Sequence, residues 1–407
     1  MLKFEIKKIV TRPVNCLVLL VLAVALVALS ALTVTSVQYE TEDGRTLYGV
    51  GAARRLQEDR KEWTGYLTPD VLKKALAENA AVNASPQAQS EDVNEQNKAF
   101  AKKQGFSDLT DLISQAYSPF REYDYYRVDS VTAEDLDSFY GKRTESLKTW
   151  LASGEEDFSP NEQEFLLARF QALDDRQPWY YEYCEGWKAL LQDVSTCILV
   201  VALITGILVA GVFSEEFQLR ADAVYFSSRY GRTKAVRAKM GAGFLVTTLV
   251  YWGSVLVYSL AVLALLGWDG AGCPLQFMEW RTTYNLTLFQ TWILMLAGGY
   301  VGTLFSVTVA MVISAKTHST VAAAVTPFVI LCALPFLSRI LPLPWICSFF
   351  PDQLMQIAVI IHDVSVCELG GKVMGIAEVI LPFYLAVSLV LWPVLYRMYQ
   401  RSAVKWR

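Results

Sequence analysis

The sequence has few of the residue types and motifs that carry out catalysis. Its 407 residues include only two histidines, His318 and His362. Neither a G-x-S-x-G nucleophile motif nor an H-E-x-x-H metal motif occurs. Residues 370–373 lack the upstream glycine and the following serine or threonine of a phosphate-binding loop. The sequence therefore predicts neither an enzyme nor a protein that binds ATP, a metal or another cofactor itself.

Cysteine is also sparse and scattered. The chain has seven cysteines, and no two of them form a C-x-x-C pair. This spacing excludes a disulfide framework and the common cysteine-based zinc sites. A bridge between Cys273 and Cys367 is one arrangement that the sequence leaves open.

Charged residues make up 19% of the chain, and they are missing from six long stretches. These stretches are residues 13–39, 194–214, 240–268, 282–315, 317–338 and 379–396. A helix needs roughly 20 residues to cross the hydrocarbon core of a bilayer. We therefore predict an all-α integral membrane protein with six transmembrane helices. Carriers coupled to protons or ions normally need ionisable residues inside their spans, so their scarcity here disfavours that class.

The formal charge divides the chain into unlike parts. Residues 35–193 carry 18 basic and 30 acidic side chains, whereas the rest of the chain carries 18 basic and 10 acidic ones. We predict an interfacial helix with the first span at 1–36, an acidic helical domain at 37–192 and a five-helix membrane region at 193–407. The first apolar stretch is about twice as long as the core of a signal peptide, which favours a retained span over a cleaved signal.

The short segments between the apolar stretches indicate the side of the membrane that each one faces. Lys and Arg near a span resist translocation, whereas long domains cross largely regardless of charge. Fifteen basic residues lie in the two termini, after the second stretch and after the fourth, while the opposite short segments hold three. We therefore expect both termini in the cytoplasm and the acidic domain outside the cell.

Helix-start signals recur in the acidic domain. Thr68-Pro69 and Ser159-Pro160 each place a capping hydroxyl before a proline, and Glu162 can complete a capping box. Residues 83–97 are polar, and we predict a loose connection there. Before the first span, apolar residues at positions 2, 6, 9 and 10 share one helical face, which suits a helix lying along the membrane surface; a merely charged flank is the alternative.

Two groups of aromatic residues lie in the same domain. They are Tyr117, Phe120, Tyr123, Tyr125 and Tyr126, and then Trp179, Tyr180, Tyr181, Tyr183 and Trp187. We expect the first group to pack in a core. The second group precedes a span, and Trp and Tyr at such positions typically lie at the headgroup boundary; a binding platform is the alternative.

The segment after the second span is the richest in chemistry among the predicted cytoplasmic ones. Phe217, Val224 and Tyr225 are spaced to form one apolar face of a helix over 217–229, which Gly231 can end. Such a helix could enter a groove on a partner protein and pass movement to the spans. It could equally rest on lipid headgroups with its basic residues on phosphates.

This layout resembles the membrane subunit of a type-2 ATP-binding-cassette (ABC) exporter. That family has six spans, and its first cytoplasmic loop typically carries an acidic residue, a leucine-rich turn, a glycine- or serine-arginine step and a lysine. The matching positions here are Glu215 or Glu216, residues 225–228, Gly231-Arg232 and Lys239, with Tyr230 where many members have proline. Residues 51–68 and 180–187 resemble members from gut-type Gram-positive bacteria that carry a helical outer domain between the first two spans.

The resemblance implies a permease of a bacterial plasma membrane. It implies an identical or related second permease subunit, two cytosolic ATPase subunits that bind the ATP, a lipid bilayer around the spans and no nucleic-acid partner. The loop 215–239 would then be the coupling loop. The residues expected to contact the ATPase are Glu215, Glu216, Phe217, Tyr225, Arg229, Gly231, Arg232 and Lys239.

The family also implies a broken, partly re-entrant segment before the last span, and residues 340–363 fit that description. The residues expected to form this gate are Pro342, Pro344, Trp345, Phe349, Phe350 and Pro351. Irregular backbone at membrane depth must be covered by protein or line a water-filled cavity. An ordinary outer loop lying on the membrane is the alternative.

Gly298 and Gly302 form a small-residue face on the fourth span. Such a face lets another helix approach closely. It serves either packing within the chain or a seam between two copies.

Two other functions stay open at the level of sequence. ABC permeases of a four-span class also carry a large outer domain, and they act on envelope processes. A membrane sensor or scaffold could instead bind a peptide through the acidic domain and signal through the basic loop. The sequence does not indicate the cargo.

Overall fold

The computed structural model describes residues 1–174, 177–338, 340 and 344–401. Within these ranges the chain is mostly helical, and six helices are long and apolar enough to cross a membrane. They are Pro13–Ser36, Glu185–Val209, Lys234–Leu266, Leu288–Thr317, Thr320–Leu337 and Ile376–Gln400. The prediction of a mostly helical membrane protein with six candidate spans is therefore confirmed.

The α-helices and strands follow one another along the described chain as follows. They are α1 (Leu2–Val10), α2 (Pro13–Ser36), β1 (Gln38–Glu40), β2 (Thr46–Tyr48), α3 (Val50–Arg60), β3 (Gly65–Tyr66), α4 (Pro69–Asn83), α5 (Val93–Ala101), α6 (Ser107–Tyr117), α7 (Phe139–Ser153), α8 (Pro160–Asp174), β4 (Tyr180–Tyr181), α9 (Glu185–Val209), α10 (Glu215–Gln218), α11 (Asp222–Ser227), α12 (Lys234–Leu266), α13 (Leu288–Thr317), α14 (Thr320–Phe328), α15 (Leu334–Ser338), α16 (Pro344–Cys347), α17 (Ile357–His362), β5 (Val366–Leu369), β6 (Lys372–Gly375) and α18 (Ile376–Gln400). Three antiparallel pairs join β1 to β2, β3 to β4 and β5 to β6.

Local sequence signals set where several spans begin. Pro13 lies in the first turn of α2, where its missing N–H would have no helical partner anyway. Thr287 and Gln290 form a reciprocal capping box at the start of α13. The fourth span therefore begins at Leu288 and not at Thr282, because the residues before it form a turn closed by a bridge between Pro274 and Thr287.

The second span continues beyond its predicted limits. One uninterrupted helix, α9, runs through Glu185–Val209, although the charge-free stretch starts at residue 194. The boundary predicted at residue 192 between acidic domain and membrane region therefore falls inside a helix. A rigid connection of this kind joins the insert directly to a span.

The fifth span is irregular where it meets the second span. It contains Pro327 within α14 and a π-helical turn, Val329–Ala333, between α14 and α15. A Cβ built on Gly206 of α9 would lie 2.3 Å from the Pro327 ring. Because glycine leaves that space, α9 and α14 pack closely at the point where proline removes a helical hydrogen bond.

The insert between α2 and α9 contains helices α3 to α8, as its helix-start signals predict. Ser159 and Glu162 exchange bonds at the start of α8: the Ser159 N–H donates to Glu162 Oε2 at 2.8 Å, and the Glu162 N–H donates to Ser159 Oγ at 3.3 Å. The loose connection predicted at 83–97 is partly wrong. Asp92 caps α5 by accepting a hydrogen bond from the Asn94 N–H at 2.9 Å, so a helix begins within that stretch.

Most of the second aromatic group is buried inside the protein. Trp179, Tyr181, Tyr183 and Trp187 are each no more than 5% exposed. The loop between the third and fourth spans covers them: the rings of Trp179 and Trp280 lie 5.5 Å apart, and Trp187 donates to the Trp268 carbonyl at 3.0 Å. The prediction of a headgroup-boundary belt is therefore wrong for these four.

The first aromatic group, in contrast, is mostly exposed. Phe120 is buried and stacks on Trp150 at 4.7 Å between ring centroids. Tyr123, Tyr125 and Tyr126 are exposed. The prediction of core packing therefore fails for those three tyrosines, which lie on the surface beyond the end of α6.

Charged side chains join the insert to α9 in what we term the Arg60 cluster: Arg60, Asp108, Glu185 and Lys188. Arg60 contacts Asp108 at 2.9 Å and Glu185 at 3.0 Å, and Lys188 contacts Asp108 at 2.9 Å and Glu185 at 3.5 Å. Tyr181 also donates to Asp108, at 2.9 Å. Each base therefore touches both acids, and the charges balance within a closed ring.

The buried position of Asp108 shows why the balance matters. Burial alone would raise its pKa, but the charges of Arg60 and Lys188 outweigh it and lower the pKa to about 2. The carboxylate therefore stays ionised, with its charge compensated on both sides. The same two acids act on Arg60, whose pKa lies well above its usual value although burial opposes this.

Residues 344–363 pack on the glycine face of the fourth span. A Cβ on Gly298 would lie 3.2 Å from the Leu354 carbonyl oxygen, and one on Gly302 would lie 3.0 Å from Leu354 Cβ. On the other side, Tyr384 of α18 donates to the Phe349 carbonyl at 2.7 Å. The two glycines therefore admit a segment of the same chain.

The predicted gate residues lie partly in this segment. Pro351 is buried, and Phe349 and Phe350 are half-buried. Pro344 and Trp345 belong to the short helix α16. Pro342 lies outside the described residues.

Candidate functional site

The N-terminal helix, the loop after the second span and the two neighbouring span ends meet at one end of the bundle. We call this the terminal end; it comprises residues 1–12, 210–239 and 396–401. An apolar cluster underlies it, in which Ile9, Phe213, Phe226, Val236 and Tyr399 are all buried. These three stretches of chain thus share one core, so displacement of one of them disturbs the others.

Above this core lies an ionic network that links the same stretches. We call it the Glu216 network; its members are Glu5, Lys8, Arg12, Glu215, Glu216 and Lys239. Glu216 accepts hydrogen bonds from Lys239 at 2.7 Å and from Lys8 at 2.9 Å. Lys239 also donates to the Val212 carbonyl at 2.8 Å. Three acids and three bases therefore join α1, α10 and the first turns of α12.

The network corrects the expected role of two predicted contact residues. Lys239 has no exposed surface and Glu216 is 6% exposed. Buried charges are tolerated when they are paired, as these two are with each other. Glu216 and Lys239 therefore bond inside the chain and do not face a partner. Glu215 is likewise engaged, by Lys8 at 2.5 Å and by Arg12.

The state of charge of Glu216 follows from these contacts. Burial would raise its pKa, but the charges and hydrogen bonds of Lys239 and Lys8 outweigh it, and the pKa lies below its usual value. Glu216 is therefore ionised at neutral pH. Burial, followed by the charges of Glu216 and Glu5, raises the pKa of Tyr225, so this phenol stays protonated.

The helix predicted over 217–229 is broken. The structure has two short helices, α10 and α11, separated at Arg220, whose φ is 55°. A non-glycine residue with positive φ stores backbone strain of order 1–3 kcal/mol. Tertiary contacts hold both sides of the break: Phe217 stacks on His318 at 3.5 Å, Phe226 lies 5.3 Å from the Tyr399 ring, and the two phenylalanine rings lie 5.8 Å apart.

Strained backbone is concentrated at this end. Among the described residues, Arg220 and His318 are the non-glycine positions with positive φ; Arg220 lies within the terminal end, and His318 packs against it through the Phe217 ring. His318 ends α13 in the left-handed conformation with a φ of 56°. The stacking of Phe217 on His318 therefore connects two strained positions and links the loop to the fourth span.

The remaining predicted residues differ in exposure: Gly231 is buried, Arg232 is half-buried and Arg229 is exposed. Gly231 is required by close packing, since a Cβ there would lie 1.9 Å from the Tyr225 carbonyl oxygen. Arg232 donates to the Gln400 carbonyl at 2.7 Å and lies over the Phe226 ring, which fixes the loop to the end of α18. Arg229 is exposed, with its guanidinium over Tyr230.

In the loop itself, two apolar side chains are exposed although a large apolar core lies beneath them. Leu219 is 68% and Val224 is 75% exposed. Together with Arg229 they form what we call the outer face of the loop. Isolated exposed apolar residues are ordinary. These two, however, lie on the loop whose buried residues contact α1, α12 and α13.

Sequence reasoning missed the part played by α1. Glu5, Lys8 and Arg12 follow one another at spacings of three and four residues, which places them on one face of a helix. That spacing was a usable signal. Their partners were not predictable, because Lys8 and Glu216 are 208 positions apart.

The arrangement links the loop to α1, α12 and α13 by direct contacts, and it offers no evident metal chemistry among the described residues. In the part of the chain that the structure describes, no group of three or more His, Cys, Asp or Glu side chains is placed to hold a metal ion. Comparison with known proteins adds no family: no protein-family model, curated protein or solved structure matches this chain.

Proposed function

We propose that this chain is the permease subunit of an ATP-driven ABC exporter in a bacterial plasma membrane. In this proposal the terminal end and both chain termini are cytoplasmic, and the insert lies outside the cell. The six spans and the excess of basic residues near one end of them support this topology. A second permease subunit completes the path through the lipid bilayer.

The observation that carries the proposal is the Glu216 network. A single loop is tied to the N-terminal helix by Lys8, to the third span by Lys239 and to the fourth span by Phe217 and His318. A push on that loop therefore acts on several spans together. This is the property that a protein needs if a separate engine is to move its membrane helices.

The outer face of the loop is the proposed contact for cytosolic ATPase subunits, which bind and hydrolyse the ATP. Leu219, Val224 and Arg229 are exposed there, while the predicted contacts Glu216 and Lys239 act from beneath. ATP-driven closure of the ATPases would shift the loop and bias the spans between two arrangements. The energy difference between those arrangements comes from the ATPase, and this chain supplies the bistable element. Residues 344–363, packed between the fourth and sixth spans, are the proposed outer gate.

The test is to purify the full chain from bacterial membranes in mild detergent together with its ATPase partner and to measure ATP hydrolysis. We expect the double substitution Leu219→Asp with Val224→Asp to abolish assembly with the ATPase and the hydrolysis that depends on it. The matched control is Leu369→Asp, since Leu369 is also exposed but lies in β5. Assembly that survives the double substitution would place the contact elsewhere, and a complex with a kinase and no ATPase would replace the exporter by a sensor.

A further inference from the structure

A cavity of about 700 Å³ lies where the insert meets the spans. Its walls are the end of α2, the first turns of α9, the turn at 277–279 and helix α17. Sites for small molecules typically measure roughly 300–1,000 Å³ and combine apolar walls with a few polar groups. This cavity has both the size and the mixed lining of such a site.

The cavity lies level with the end of the first span. Ser36, the last residue of α2, lines it, and the side chains of that helix are largely exposed below this point; Val27, for example, is 71% exposed. Exposed apolar side chains on a span face lipid. The cavity is therefore open to a molecule that partitions between water and the bilayer surface.

Part of the lining is apolar. Leu191 comes from α9, Phe277 and Met278 come from the turn, and Val359 comes from α17. Phe277 is held rigidly by the rings of Trp179 and Tyr181, at 6.3 and 5.3 Å between centroids. An apolar body of a ligand would find a fixed surface here.

The charges facing the cavity are not balanced. Glu185 and Lys188 also line it, but both are engaged in the Arg60 cluster. Asp111 accepts hydrogen bonds from the uncharged groups of Gln115, at 2.8 Å, and Tyr123. Because these donors are uncharged, they do not compensate the negative charge of Asp111.

Glu279 is a second acid at the cavity that no Lys or Arg of the described residues contacts directly. Its closest basic neighbour is His362, whose Nδ1 lies 3.3 Å away. Burial lowers the pKa of His362 to about 4, so this imidazole carries no positive charge at neutral pH. Arg281 is near in sequence, but it donates to the Pro119 carbonyl at 3.0 Å and lies over the Phe120 ring. Among the described residues, neither Asp111 nor Glu279 forms an ion pair with Lys or Arg.

We propose that this cavity binds hydrophobic organic cations, with the positive charge beside Asp111 and Glu279 and the apolar body against Leu191, Phe277 and Val359. An inorganic cation would leave the apolar wall unused, and an anion would be repelled by the two acids. A cation would instead lie beside two carboxylates that form no ion pair with Lys or Arg among the described residues. Binding does not depend on the proposed function, whereas the step from binding to export of this class of cargo rests on it.

The experiment uses two probes of the same shape and opposite charge, tetraphenylphosphonium and tetraphenylborate. The full chain is purified in lipid nanodiscs, and equilibrium binding of each radiolabelled probe is measured. We expect saturable binding of the phosphonium and none of the borate above the level of empty nanodiscs. Binding should weaken at least tenfold with Glu279→Gln and further with Glu279→Gln combined with Asp111→Asn.

Matched variants separate the cavity from general effects of charge. Glu368→Gln removes an exposed acid of β5 and should leave binding unchanged, whereas Val359→Arg should abolish it by placing a cation inside the cavity. The single Glu279→Gln change serves if the double variant fails to give a monodisperse protein. Unchanged phosphonium binding in Glu279→Gln, or equal binding of the borate, would overturn the proposal.

The outcomes also separate this proposal from the exporter proposal. If the chain binds the phosphonium selectively but no ATPase assembles with it, the cavity proposal stands and the exporter proposal is wrong. If the chain assembles with an ATPase but does not bind the phosphonium, the exporter proposal stands and the cavity proposal is wrong.

Discussion

Charged side chains are buried at both ends of the helical bundle, and the two clusters differ in how they are closed. In the Arg60 cluster each base contacts both acids, so two bases and two acids form a ring. In the Glu216 network the contacts form an open chain: Lys8 touches both Glu215 and Glu216, and Glu216 is shared between Lys8 and Lys239. A ring resists any change of partner, whereas a chain with shared partners permits one.

The backbone around the Arg60 cluster is also more regular than the backbone around the Glu216 network. Arg60, Asp108, Glu185 and Lys188 lie on three regular helices, α3, α6 and α9. The Glu216 network instead surrounds a four-residue helix that ends next to the strained Arg220. Charge burial therefore fixes the insert to the second span at one end, and at the other end it holds a loop that can adopt a second arrangement. The following predictions test this difference.

Arg60→Met should have the largest effect. It leaves the buried side chain of Asp108 and the half-buried Glu185 with Lys188 as their only base, and removing one partner of a buried ion pair typically costs about 3–5 kcal/mol. We expect a large fall in the thermal unfolding temperature of the detergent-purified protein. A ring would be the wrong description of the Arg60 cluster if that temperature changed little.

Lys239→Met should cost less, about 1.5–3 kcal/mol, because Lys8 can still compensate Glu216. The same thermal unfolding measurement checks it. The double variant Lys239→Met with Lys8→Met should cost more than the sum of the single ones, since Glu216 then loses both partners. Additive costs would show that the network does not share partners.

The Arg60 cluster should also make the insert sensitive to acid. The pKa of Asp108 in the folded protein is about 2, below its usual value of 3.8, so its ionised form contributes stability that is complete above pH 4. That contribution, roughly 2 kcal/mol, is lost as the pH falls from about 4 to 2. Unfolding temperatures measured across this range should fall more steeply for the natural chain than for Asp108→Asn. Parallel curves would contradict the assignment.

Arg232→Glu should have the smallest effect on stability, within about 1 kcal/mol, because Arg232 is partly exposed. Its effect should fall on coupling, since it removes the bond that fixes the loop to Gln400 at the end of α18. Under the proposed exporter function, we expect ATP hydrolysis by the assembled complex to continue while transport stops. Arg229→Glu is the control for charge on the exposed face, and transport that survives Arg232→Glu at normal expression would exclude this role.

The sequence predicted those parts of the fold that depend on neighbours along the chain. Charge-free stretches located all six candidate spans, and Ser159 with Glu162 marked a helix start, because hydropathy and capping are local properties. The break at Arg220 escaped prediction because it depends on rings from His318 and Tyr399, about a hundred or more positions away. The burial of Glu216 and Lys239 was not predictable for the same reason, because from their charge alone both side chains were expected to be exposed.

The N-terminal helix has a consequence for the order in which the protein is made. Glu5 and Lys239 are 234 positions apart, so α1 leaves the ribosome long before α12 exists. At usual rates of synthesis that interval is roughly 10–50 seconds. During it, α1 lacks the part of its core that α12 supplies, so its docking becomes a late step of assembly that depends on synthesis of α12.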